Sequence, residues 1–495
     1  VSIQLRSYQS DFIGGIRAAY GAGAASVLGV MPTGAGKTVC FSYMAGAAVD
    51  RGNRVGIVAH RAEILDQIGR TLRQFGVHHG YIAPGFAPDP MAPVQVCSVQ
   101  AMARKIERYV DRPFDFLIVD EAHHAAAGTG WHAVINAHRS RRVLGVTATP
   151  RRLSGEPLSI AFDRMVMGPT PRQLTELGAL TPYRLFAPFR PDMAGVSRRA
   201  GDFVRSEVSD LMDKPTITGD AVAHYRRIAA GKRAIVFCVS VSHAEHVAAQ
   251  FEAAGIPSAS LDGGMSREER RSILRRFEAG DVPVLTSCDI VSEGFDVPAI
   301  EVAILLRPTD SLALYLQQVG RALRPFPGKG AAIILDHAGN SVSRMYGGRG
   351  HGFPDDDRQW SLDGERGVKA GSGERSIPTV ICGTCFAVFR PAPCCPECGA
   401  RRDAQGREIK QVEGVLEEVD PDLVRQARRE EQDQINERVR IARGLPALCR
   451  LAIELGRDEK WVFVTHRVRG NPGLMFAQVV QAMRAAKKER QNEQA

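Results

Sequence analysis

Residues 30–40 read VMPTGAGKTVC, and this stretch decides the fold. An apolar run, SVLGVM, leads into it, and the helix-like FSYMAGAAVD follows it. The pattern predicts a strand, a glycine-rich turn and a helix. Glycines let backbone N–H groups point inward at a polyanion, and a helix N-terminus behind them adds its dipole. Thr33, Gly34, Ala35 and Gly36 form the turn. Lys37 is placed to reach the β- and γ-phosphates of ATP, and the Thr38 hydroxyl to ligate Mg2+. The strict form of this loop has Gly where Met31 stands, so Gly34 and Gly36 carry the turn here.

Further along, FDFLIVDEAHH ends another apolar run on Asp120 and Glu121. Asp120 is expected to hold Mg2+, and Glu121 to orient or deprotonate an attacking water. Two acids capping a buried strand without a function would repel each other and be costly to bury.

Around these two stretches, residues 26–150 alternate short apolar runs (RVGIVAH, VQVCSV, RVLGVT) with amphipathic ones (AEILDQIGRTLRQF, WHAVINAH). Alternating βα units imply a parallel sheet covered on both faces. The pattern returns in RAIVFC, SASLD, VPVLTS, VAILL and AAIILD, with SHAEHVAAQFEAAG, SREERRSILRRFEAG and SLALYLQQVGRAL as helices. The expected fold class is therefore α/β, with two tandem parallel-sheet domains of similar plan. Residues 151–214 bridge the units and include the helix-like TPRQLTELG.

At 495 residues, two to four domains are expected. No apolar run approaches the ~20 residues that span a bilayer, so no membrane partner is expected. The opening VSIQLRSYQSD lacks a basic segment followed by an apolar one. The net charge of +9 suits a polyanionic partner or a solvated basic surface. Cys40, Cys97, Cys238, Cys288 and Cys449 stand alone, as small buried apolar residues do in a reducing cytoplasm.

In order along the chain, these motifs resemble those of superfamily-two helicases of the DEAH-box kind. LRSYQ holds Tyr8 and Gln9, where the family contacts adenine. PTGAGKT and DEAH follow. AHRAEI and SVQA resemble segments that grip the nucleic-acid backbone, and TATP (147–150) the segment linking hydrolysis to strand movement. SEGFDVP supplies Gly294 and Asp296, and QQVGRALR supplies Gln317, Gly320, Arg321 and Arg324. The resemblance implies RecA-like domains, with ATP between Lys37 and Glu121 on the first and Arg321 and Arg324 on the second. Arginine forks there would stabilise the transferring phosphoryl group. A narrower resemblance, through residues 305–340 and TATPRRLSG, is to bacterial RadD-type DNA repair helicases and related phage proteins. It implies action on single-stranded or forked DNA.

The chain is accordingly divided into a first RecA-like domain at 1–190, a second at 191–340 and a flexible linker at 341–378. A zinc ribbon at 379–402 and a helical accessory region at 403–495 follow. The Gly- and Asp-rich composition of GGRGHGFPDDD and GERGVKAGSGE marks the linker. In CGTCFAVFRPAPCCPECG, Cys382 and Cys385 pair with Cys395 and Cys398 as two knuckles around structural zinc (Zn2+). Gly383 and Gly399 are expected to ease the turns. Cys394 is an inert neighbour or a substitute for Cys395. An iron–sulfur cluster would use the same ligands, and disulfides do not suit a reducing compartment. The ribbon reads as a metal-folded knob on a flexible tether, free to meet DNA or, with the C-terminal region, a protein partner. Asp403, Glu408 and Lys410 faintly echo a nuclease carboxylate set. Besides a DNA motor, the sequence allows an RNA helicase, or a recruitment protein with ATP hydrolysis as a switch.

Overall fold

A computed structural model describes residues 4–151, 155–187, 196–199, 202–213, 215–288, 300–342, 350–364, 379–401, 433, 436–442, 444–455, 459–468 and 475–493. The chain divides into two compact units, Val1–Asp403 and Ala404–Ala495.

The first unit holds two parallel sheets. The strands of one are β1 (Ser26–Val30), β2 (Val55–Ala59), β3 (His79–Ile82), β4 (Val94–Ser98), β5 (Phe116–Val119), β6 (Arg142–Thr147) and β7 (Arg164–Met167). They lie in the order β3-β4-β2-β5-β6-β1-β7, every pairing parallel. The central β2 and β5 are buried at every residue, as a sheet covered on both faces requires. Burial loosens at the edge strands β3 and β7. These are the two strands of this sheet that carry no long apolar run to announce them.

The second sheet contains β8 (Tyr183–Phe186), β11 (Ala234–Phe237), β12 (Ser258–Leu261), β13 (Val284–Ser287), β14 (Val302–Leu305) and β15 (Ala332–Asp336), in the order β12-β13-β11-β14-β15-β8. A short antiparallel pair, β9 (Arg198–Arg199) and β10 (Asp202–Phe203), precedes β11. Because β8 pairs with β15, the change of sheet falls before Tyr183 rather than at the expected boundary of 190. The reason is local: YRLF is too short and too mixed to stand out as a strand, yet β15 supplies a full partner edge for it.

Two further expectations are corrected here. Residues 350–364, read as flexible linker, form a packed strap. At one end Tyr315 Oη donates to Gly352 O at 3.0 Å, and His351 Nε2 lies 2.9 Å from Thr309 O, both on the second domain. At the other, Leu362 O accepts from Leu158 N at 2.6 Å and Ser159 N at 3.0 Å on the first. Arg358 Nη2 ties the strap internally by donating to His351 O and Phe353 O at 3.0 and 2.8 Å. A glycine- and aspartate-rich composition suggests mobility, but these residues are held by hydrogen bonds, which composition does not reveal.

Nor is the ribbon on a free tether. Its strands β16 (Val380–Ile381) and β17 (Val388–Phe389) pair antiparallel. Phe186, the end of β8, bridges to Ala387, and Ala187 N donates to Phe386 O at 3.1 Å. Cys382, Ala387, Phe389 and Cys395 share one apolar cluster with Phe186, Val236, Ile304 and Leu335 of the second sheet. Arg184 Nε donates to Glu397 at 2.7 Å, and Arg390 Nη2 to Asp356 of the strap at 3.0 Å.

The second unit contains helices Gly444–Glu454, Glu459–Val468 and Phe476–Glu493, joined by a core of Leu448, Cys449, Ala452, Val462, Val479 and Met483. No helix among the described residues is long and apolar enough to cross a membrane. The expected Asp403, Glu408 and Lys410 set lies outside the described residues.

Candidate active site and metal centre

The loop after β1 turns through Gly34 and Gly36, both at φ of +87°, a conformation that glycine adopts without the Cβ penalty. The helix Lys37–Val49 starts directly behind it. Lys37 Nζ donates to Met31 O at 3.1 Å, so the ammonium lies over the loop it is expected to serve. From the first helix, Tyr8 Oη and Gln9 Nε2 donate to Ala35 O at 3.2 and 3.3 Å. A Cβ on Gly36 would come within 2.4 Å of Gln9 Nε2, so the backbone here approaches the side chain as only glycine permits. Tyr8, Gln9 and residues 33–38 therefore form one group.

Asp120 and Glu121 follow β5. Asp120 Oδ1 accepts from Glu121 N at 3.0 Å. Burial, then the adjacent Glu121 charge, pushes the Asp120 carboxyl up to about 7, while Lys37 acts in the opposite direction. Burial also acts to raise Glu121, but the His123 hydrogen bond and charge, with Lys37 and His124, outweigh it and hold Glu121 ionised. One of two buried neighbouring acids thus keeps the charge. The donor set suits a divalent cation: the Asp120 and Glu121 carboxyls and the Thr38 hydroxyl, in the first turn of the helix Lys37–Val49, are all hard oxygen ligands.

Glu121 has a left-handed backbone, φ 49° and ψ 46°. For a non-glycine residue this is strained, and it aims the carboxylate at its neighbour two residues on. His123 Nδ1 lies 3.3 Å from Glu121 Oε2 and 3.0 Å from Thr147 Oγ1. The Thr147 hydroxyl donates to Thr149 O at 3.2 Å, and His123 Nδ1 sits between Glu121 Oε2 and Thr147 Oγ1. DEAH and TATP, treated as separate motifs, are thus joined through His123. Sequence reasoning gave His123 no role, although it is the fourth letter of DEAH.

Arg321 and Arg324 come from the helix Leu312–Ala322 and the turn after it. A Cβ built on Gly34 would lie 3.6 Å from Arg324 Cγ, and one on Gly320 2.8 Å from Thr33 Cβ. Gly320 lets the helix of the second domain approach the loop of the first, whereas Arg324 meets Gly34 at ordinary contact distance. Lys37 feels all four charges: burial lowers its pKa, Glu121 and Asp120 raise it, and Arg324 and Arg321 lower it. Gln317 is buried on the same helix. Gly294 and Asp296 lie outside the described residues. Across this cleft, Arg270 Nη1 donates to Glu63 Oε1 of the AHRAEI stretch at 2.7 Å.

The four ribbon thiols also converge. Cys382 and Cys398 Sγ are 3.6 Å apart, as are Cys385 and Cys395 Sγ, and all four lie within 4.8 Å of one another. A tetrahedral zinc with ~2.3 Å bonds needs sulfurs about 3.8 Å apart. Two matching knuckles create this spacing. Phe386 N donates to Cys382 O and Gly399 N to Cys395 O, at 3.0 and 2.9 Å. The residue after each second cysteine is left-handed: Gly399 at φ 70°, as expected, but Phe386 at φ 64° in the first knuckle. Gly383 lies outside that region, contrary to expectation. The Phe386 ring packs against Arg227 and His224 of the helix Pro215–Ala229, which anchors the knuckle to the second domain. Cys394 is exposed, and Cys395 takes the ligand position.

Residues 2–152 match the family model described as the type III restriction enzyme res subunit. Residues 217–325 match the helicase conserved C-terminal domain. The chain is 31% identical over 396 residues to a 51.5 kDa protein of a Lactococcus phage, covering 80% of this chain and 82% of that one. It is 28% identical to a Saccharomyces cerevisiae protein assigned as an ATP-dependent helicase, IRC3, over 68% of this chain. It spans about half (52%) of that yeast relative. A solved fragment assigned to the HsdR subunit of a type I restriction enzyme from Vibrio vulnificus is similar in fold. Its TM-score is 0.55 at 20% identity, covering 71% of this chain and 67% of that fragment.

Proposed function

The chain belongs to the superfamily-two helicases, and we propose that it is an ATP-driven motor acting on DNA. The observation that carries this is the convergence of Lys37, Asp120, Glu121, Arg321 and Arg324 from two separate sheets on one cleft.

In this proposal Tyr8 and Gln9 hold adenine, and residues 33–37 wrap the phosphates. Thr38 and Asp120 hold Mg2+, which would neutralise charge on the β- and γ-phosphates when bound. Glu121, kept ionised by His123, takes the proton of the attacking water. Arg321 and Arg324 stabilise charge on the transferring phosphoryl group, and Gln317 lines the same wall. Binding draws the arginine-bearing domain toward the loop, and release of phosphate loosens it, a cycle that moves two strand-gripping surfaces relative to each other. The path Glu121–His123–Thr147–Thr149 gives hydrolysis a direct route to the segment expected to feel the strand.

The match of residues 2–152 to a restriction-enzyme subunit favours DNA over RNA. The DNA-repair setting rests on the resemblance to RadD-type helicases. The deciding experiment is ATP hydrolysis with single-stranded DNA, duplex DNA and RNA of matched sequence. DNA strands should stimulate at least about tenfold more than RNA, roughly 1.4 kcal/mol of discrimination. Equal or greater stimulation by RNA overturns the DNA assignment, since it would point to contacts with the 2′-hydroxyl.

A further inference from the structure

The last carbonyls of a helix have no partner within it. In the helix Leu312–Ala322 this matters, because its end carries the two arginines of the cleft. Thr181 N donates to Leu323 O at 2.8 Å. The neighbouring carbonyls are taken by one side chain, Lys329. Its Nζ donates to Arg324 O at 2.8 Å, to Ala322 O, and to Ile300 O at 2.8 Å just ahead of β14. An ammonium has three donors, and here all three end on backbone carbonyls.

The turn that carries Lys329 is built for this. Gly328 is left-handed at φ 84°, and Lys329 N donates to Phe326 O at 3.2 Å. The Phe326 ring lies 5.4 Å from the Lys329 ammonium and 5.2 Å from the Arg233 guanidinium. The nearby Glu301 is already engaged, by Lys232 Nζ at 3.0 Å and Arg233 N at 3.2 Å. Lys329 therefore works as a clip between backbone segments rather than as half of an ion pair.

We propose that Lys329 is a positioning residue for ATP hydrolysis, clipping the arginine-bearing helix end to Ile300 so that Arg321 and Arg324 meet the nucleotide. The role rests on the proposed action of those arginines on ATP. Misplacing a catalytic group by about 1 Å costs on the order of a hundredfold in rate. Without Lys329, the two carbonyls at the helix end, Ala322 O and Arg324 O, lose their tie to Ile300 O. Burial lowers the Lys329 pKa to about 8, against the opposing pull of Glu301. The charged groups around it are Glu301 beside β14, whose carboxylate takes Lys232 Nζ, and Arg233, which shares the Phe326 ring. The clip is thus mostly charged well below pH 8 and loses its charge as pH rises through about 8.

The test is steady-state ATP hydrolysis by the full chain with a saturating stimulating oligonucleotide, comparing wild type, Lys329→Met, Lys329→Arg and Arg324→Ala. Lys329→Met should lose about tenfold or more in kcat, with KM for ATP changed less than about twofold, the mark of a group acting in the transition state. Lys329→Arg should restore most of that loss. At saturating ATP, where the phosphates keep Lys37 charged, wild-type kcat should fall above about pH 8, and Lys329→Arg should not show that fall. Wild-type kcat in Lys329→Met, with Arg324→Ala impaired, overturns the clip and leaves the arginine assignment standing. Full activity in Arg324→Ala overturns the arginine assignment itself. If Lys329→Met fails to fold, the alkaline limb decides: a limb that persists in Lys329→Arg overturns the clip.

Discussion

The nucleotide cleft and the cysteine ribbon are built in opposite ways. The cleft draws Tyr8, Lys37, Glu121 and Arg324 from widely separated parts of the chain, and only the topology of two sheets brings them together. The ribbon's ligands run from Cys382 to Cys398, 16 positions apart, and meet through local turns. The cleft depends on how its two domains meet, whereas the ribbon's metal site could form alone. Yet the ribbon shares its core with the second domain, and through Arg390 it holds the strap that reaches the first. Local assembly therefore does not mean independence.

The largest expected effect lies in the cleft. Lys37→Ala should reduce stimulated ATP hydrolysis by roughly a thousandfold, as removal of a central phosphate contact does. Glu121→Gln should do likewise without loss of fold. Circular dichroism and a thermal melt alongside the rate measurement check that the loss is chemical.

Next comes the metal. Cys395→Ser should abolish zinc binding and lower the thermal midpoint of the whole first unit, because structural zinc contributes on the order of 10 kcal/mol to folding its site. Cys394→Ser should leave zinc content and midpoint unchanged. A first unit indifferent to Cys395→Ser would restore the picture of a tethered knob. A smaller change probes the anchor alone. Phe386→Ala should keep full zinc and cost about 1–2 kcal/mol of stability through lost apolar burial. Arg390→Ala, a half-exposed partner of the strap carboxylates, should cost no more than about 1 kcal/mol.

Much of the cleft was legible because its chemistry restricts the residue types. Phosphates need glycines, an ammonium and a helix N-terminus, and Gly34, Gly36 and Lys37 satisfy that in seven letters, PTGAGKT. The buried strands were legible as apolar runs, but β3, β7 and β8 were not, since edge strands need no continuous burial. The four candidate metal ligands could be named from spacing, though only the knuckle geometry separates Cys395 from Cys394. What stayed hidden were contacts made by ordinary residues. Phe386 adopts a left-handed backbone that glycine would favour, and its ring meets His224. His123 joins two motifs, and Lys329 clips carbonyls that any sequence possesses. Such partnerships have no letter pattern, because either partner could be replaced by several residue types with the same donor or surface.

The central claim is that the cleft hydrolyses ATP in response to a nucleic-acid strand. It is tested most directly by the hydrolysis rate with and without single-stranded DNA, in wild type and in Lys37→Ala. The expected result is stimulation of about tenfold or more in wild type, a barrier lowered by roughly 1.4 kcal/mol, and none in the variant. A wild-type rate that no nucleic acid changes, or stimulation that survives Lys37→Ala, would contradict it.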